Sequence, residues 1–119
     1  MNPLNYATLE ASKRLHDAGI ALNSEAVWIH VQGGSWYLRL KDDGIVSHSS
    51  LDKVIPAPSM AEVWRELPDD IDGHELGMGK EDGESYVFYK SLKDFPYNTN
   101  PTDALIDLLI WVRSERGRR

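Results

Sequence analysis

Nine consecutive residues near the C-terminus, "ALIDLLIWV" from Ala104 to Val112, are apolar apart from Asp107. A helix on the surface of a domain shows one apolar stripe, whereas apolar residues all round require cover on several sides. One sheet in a small domain covers one side only. Either this helix is wedged centrally in its own fold, or its free side meets a second subunit. The second arrangement makes Leu105, Leu108, Leu109, Trp111 and Val112 an interface and predicts a homo-dimer or higher oligomer, because a large exposed apolar patch is unusual on a soluble monomer.

The same segment carries its own start signal. Asn100 is a suitable cap, Pro101 takes the first helical position and Asp103 complements the N-terminal dipole, so a helix is predicted over 100–115. A second helix is predicted over 59–67. Ser59 and Glu62 have the S-x-x-E spacing of a reciprocal capping box, Met60, Val63, Trp64 and Leu67 share one face, and Pro68 ends it. A third is predicted over 8–18, with Thr8 as cap, Ala11, Leu15 and Ala18 at helical spacing, and Gly19 as the left-handed stop before Ile20.

Between the helices the period changes from helical to two. "AVWIHV" and "SWYLRLK" flank "QGG" and read as a β-hairpin, followed by an irregular loop "DDGIVSHSS". Pro56 and Pro58 hold "IPAP" extended. After the acidic loop "DDIDGHE", the glycine-weakened "ELGMGK", the turn "EDG" and the aromatic "SYVFYKS" read as a second hairpin. The predicted order is α-β-β-α-β-β-α, a single α+β domain over 1–119. Its sheet is mainly antiparallel, with helices packed on one face.

At 119 residues, one core is expected, burying roughly two-thirds of the unfolded surface. The absence of cysteine removes disulfide and thiolate chemistry. The N-terminus has no apolar signal-peptide core, and no apolar run approaches membrane-spanning length. Net charge is −6; the last seven residues contribute +3 (four Arg, one Glu), which leaves −9 for residues 1–112. An acidic body argues against general nucleic-acid binding, and the basic end reads as a solvated helix terminus.

Chemistry is hard to place. His16, His30, His48 and His74 have no metal-ligand spacing. A calcium loop centred on Gly73 would put its first and twelfth ligands on Pro68 and Gly79, which carry no carboxylate. Gly33-Gly34 lacks the lysine–serine pair of a phosphate loop, and His48 with its flanking serines forms no nucleophile elbow. No enzyme, metal or cofactor is expected.

The strongest binding candidate is the outward face of the first hairpin. With Val27, Ile29, Val31, Leu38 and Leu40 facing the core, Trp28, His30, Tyr37 and Arg39 face away together. Two aromatic rings, an arginine and a histidine suit a small anionic, nucleotide-like ligand, and Arg65 is a second anion contact. The alternative is that residues 47–58 cover this face.

Three stretches, "TLEASKRLHDAGI", "KVIPAPSMAEVWRELP" and "TNPTDALIDLLIWV", resemble a family of small proteins of tailed bacteriophages and prophages, over nearly the whole chain. The resemblance implies phage origin and residence in the host bacterial cytoplasm, and it implies no reaction. The expected function is a non-enzymatic phage accessory protein of the anti-defence kind, which sequesters a nucleotide signal or blocks a host protein. A structural or assembly protein of the virion is the alternative, and a small hydrolase lacking the familiar motifs is another.

Overall fold

Each helix begins where its side chains satisfy the free N–H groups of the first turn. The computed structural model describes residues 5–31, 33–41, 51–95 and 97–116. Helix α1 (Leu9–Asp17) is capped by Thr8, whose hydroxyl accepts from Ala11 N. It stops at Gly19, φ 77°, where the Gly19 and Ile20 N–H groups donate to the His16 and Leu15 carbonyls. In α2 (Met60–Glu66) both capping-box bonds form: Glu62 N donates to Ser59 Oγ at 3.2 Å, and Ser59 N donates to Glu62 Oε1 at 2.7 Å. In α3 (Pro101–Arg116) the Asn100 side chain accepts from the N–H groups of Thr102 and Asp103.

The strands are β1 (Ala26–Val31), β2 (Trp36–Leu40), β3 (Leu51–Pro56), β4 (Asp70–Ile71), β5 (His74–Glu81), β6 (Glu84–Tyr89) and β7 (Lys93–Asp94). They make two sheets, ordered β2-β1-β3 and β4-β5-β6-β7, and every pairing among the described residues is antiparallel. The fold class is α+β. Three strands go beyond the expected four. Residues 51–56, of which only Ile55 and Pro56 were expected to be extended, pair with β1, and Pro56 fits because β3 is an edge strand that ends there. The expected acidic loop "DDIDGHE" is a hairpin: Asp72 and Gly73 both have positive φ, 51° and 89°. Asp82 and Gly83 repeat this at the β5–β6 turn, with φ 52° and 80°. Positive φ at both central positions is what a tight two-residue hairpin turn requires, and Asp-Gly supplies it. The expected loop at 42–50, with His48, lies outside the described residues, as do residues 117–119.

The larger core holds Ala11 and Leu15 of α1, Val63 of α2, Leu67 just after it, Ile71, Val87 and Tyr89 of the second sheet, and most of α3. Helix α3 packs on β6 and is also covered by α2 and α1, so it is the central element. This corrects the expected interface. Leu105, Leu108 and Leu109 are fully buried within one chain, Val112 nearly so, and Trp111 is half-buried beside Tyr89 and Phe95. The reason for a dimer through this helix is therefore gone. A smaller core of Tyr6, Ala26 and Ala57, with Trp28, Leu38 and Leu40 against it, lies on one face of the first sheet.

Two titrating groups join distant parts of the chain. Asp103 accepts from Thr8 N at 2.9 Å and from Thr8 Oγ1 at 2.6 Å, linking the starts of α1 and α3. Burial raises its pKa despite the lowering effect of those two bonds and of Arg14. Tyr6 Oη donates to Glu25 at 2.6 Å, and this bond, with burial, pushes the Tyr6 pKa up to about 12. Both folded-state values exceed the unfolded ones, so each contribution is complete below the unfolded pKa and is lost as pH rises through the folded one. Urea-denaturation stability should thus fall as pH rises just above the usual aspartate range, and again above pH 10, the ordinary tyrosine value. Asp103→Asn should remove the first decline and Tyr6→Phe the second. Unchanged pH profiles in both variants would contradict this assignment.

Candidate ligand-binding site

The first hairpin does not bring its four expected residues together. Its register pairs Val27 with Arg39, Trp28 with Leu38, Ile29 with Tyr37 and His30 with Trp36. Directly paired residues share a face. Tyr37 and Arg39 therefore lie with Val27 and Ile29, whereas Trp28 and His30 lie on the opposite face. Trp28 is half-buried on the side of the smaller core, and its Nε1 donates to the Ala7 carbonyl at 3.0 Å. His30 is half-buried with its ring 5.0 Å from that of Trp36, over which Lys13 Nζ sits at 5.0 Å. Tyr37 and Arg39 are exposed as expected, with the guanidinium 5.4 Å from the Tyr37 ring and donating to Leu38 O. Arg65 is exposed on α2, beside Trp64. The period of two correctly predicts alternation within each strand but carries no information on register between strands.

A stacking surface exists, but on the other hairpin. Along β6, Ser85, Val87 and Tyr89 are buried, so Tyr86 and Phe88 occupy the outward face. Their direct partners on β5 are Gly79 and Gly77. The absent side chains leave room for the rings to lie across the strand: a Cβ built at Gly79 would overlap the Tyr86 ring, and one at Gly77 the Phe88 ring. The glycines that weaken β5 as a strand thus serve as seats for aromatic rings. The two rings are stacked in parallel fashion, centroids 6.1 Å apart and planes 20° from one another. Tyr97 adds a third ring 5.1 Å from Tyr86 and inclined by 45°.

These rings line an open groove of about 430 Å³, completed by Phe95, Lys90 and Ser91. The groove has electrical direction. Near the β5–β6 turn, Tyr97 Oη donates to Glu81 at 3.0 Å, a bond that raises the Tyr97 pKa. Lys90 supplies positive charge just beyond the other end of β6. A flat ring stacked on Tyr86 and Phe88 would have its anionic substituent directed toward Lys90. The signal for this site was present in "GMG" facing "YVF", two outward aromatics opposite two glycines. It becomes legible only once the hairpin register is known.

Among the described residues, no three His, Asp or Glu side chains are grouped as a metal site. No described helix is long and apolar enough to cross a membrane. Comparison with protein families, curated proteins and solved structures gives no match.

Proposed function

We propose that the protein is a non-enzymatic binding protein that takes a small, planar, anionic ligand of nucleotide type in the groove on the outer face of the second sheet. The observation that carries this reading is the pair of near-parallel rings, Tyr86 and Phe88, seated on Gly79 and Gly77 beside Lys90. Aromatic platforms of this kind accept any base because every base has a π-face, at about 1–3 kcal/mol per stacked base. Lys90 then favours a phosphorylated ligand over the bare nucleoside. The sequence resemblance to phage proteins extends the reading to an accessory protein of the host cytoplasm that sequesters a nucleotide signal.

The test is calorimetric titration with mono- and cyclic dinucleotides and with the corresponding nucleosides. Nucleotides should bind, and Phe88→Ala should weaken them by about 1–3 kcal/mol. Lys90→Ala should affect nucleotides while leaving nucleosides almost unchanged. If no nucleotide binds, or both variants bind like the parent, the groove is not the site.

A further inference from the structure

A second surface, on the opposite side of β5, has a different character. Val63 and Leu67 turn one side of α2 into the core, yet Met60 and Trp64, one helical turn apart, are each 40% exposed. With Ala61, Arg65 and Met78 they enclose an open groove of about 390 Å³ between α2 and β5. Met60 and Met78 also line a second groove of about 550 Å³, which runs on past Lys80 to Thr99 and Pro101 at the start of α3. Sharing Met60 and Met78, the two lie side by side as a trough. Methionine and tryptophan supply its apolar lining, and among the described residues the charged side chains lining it are both cations, Arg65 toward one end and Lys80 toward the other. In a chain of net charge −6, a lining with no carboxylate among the described residues is a local reversal of sign. The two acids of α2 have other partners: Glu62 accepts from Ser59 N and Glu25 N, and Glu66 accepts from Arg113.

We propose that this trough docks an acidic amphipathic helical segment of a partner protein, its apolar side against Met60, Trp64 and Met78 and its carboxylates toward Arg65 and Lys80. Methionine side chains adapt to varied apolar shapes, and exposed tryptophan and arginine are the residues that most often dominate such contacts. An apolar groove of this type accepts anchors spaced one helical turn apart. The charge of the lining selects the acidic segment over a basic one.

The experiment uses fluorescence anisotropy with a labelled peptide of about four helical turns, carrying a leucine stripe on one face and glutamates on the other. A counterpart with lysine for every glutamate serves as the control. The acidic peptide should bind, and the lysine peptide at least about ten-fold more weakly. Trp64→Ala and Arg65→Glu should each lower the affinity for the acidic peptide about ten-fold or more. Thermal melts of both variants report whether the fold survives, and Lys80→Glu at the far end gives an independent readout. Equal binding of the two peptides, no binding at all, or wild-type affinity in all three variants overturns the proposal. So does light scattering that shows a Trp64-dependent dimer, because a second copy would then occupy the trough.

Discussion

Leu109→Ala is expected to destabilise the protein by about 2–5 kcal/mol. Leu109 is fully buried, as are Leu105, Ile106 and Leu108, and the surrounding side chains come from α1, α2 and the second sheet as well as from α3 itself. A cavity in the element that α1, α2 and β6 all touch cannot collapse from one side alone. The expected loss is a large part of the roughly 5–15 kcal/mol that holds a domain of this kind together. The same experiment separates core from interface. If α3 gave its apolar residues to a second subunit, the urea midpoint would rise with protein concentration. With α3 in the core, Leu109→Ala should lower stability without changing how the midpoint depends on protein concentration. A cost below about 1 kcal/mol, the ordinary range for a tolerant site, would contradict the central placement of this helix.

The second large effect is expected from Gly77→Ala combined with Gly79→Ala. A methyl group at either position occupies the space now filled by a ring, Phe88 over Gly77 and Tyr86 over Gly79. The overlaps fall on the ring ends of side chains that can rotate outward, so the hairpin should survive with a cost of about 1–3 kcal/mol. The rings, once displaced, no longer form near-parallel planes beside Lys90. Nucleotide affinity should therefore fall at least about ten-fold while the folded baseline persists in far-UV circular dichroism. Near-UV circular dichroism, which reports the asymmetry of aromatic packing, should change together with the binding. Wild-type affinity in the double variant would show that ring placement on the glycines is irrelevant to the ligand.

Helix boundaries were legible in the chain because their causes are local. Thr8, Ser59 with Glu62, and Asn100 each satisfy N–H groups within three residues, and Gly19 and Pro68 stop helices by their own backbone restrictions. The Asp72–Gly73 turn was equally local and carries the same dipeptide as Asp82–Gly83; it was obscured by the acidic run around it, which reads as a solvated loop. Strand β3 was obscured for another reason. Pro56 and Pro58 argue against a strand in general, and only its edge position makes the proline harmless.

The sites were less legible than the elements, for one physical reason. Alternation within a strand follows from the pleat, so Tyr37 and Arg39 were rightly placed together, as were Trp28 and His30. Whether those two pairs share a face depends on register, which is set across the turn and by what covers each side. Tertiary structure decided that Trp28 turns toward Ala7, that Tyr86 and Phe88 meet glycines, and that α3 is covered by its own domain. The chain alone determined three capped helices, two of the hairpins and an α+β class, because those rest on contacts between near neighbours. Which surfaces remain open for a ligand or a partner rests on contacts between residues far apart in sequence, and these exist only once the layers have packed.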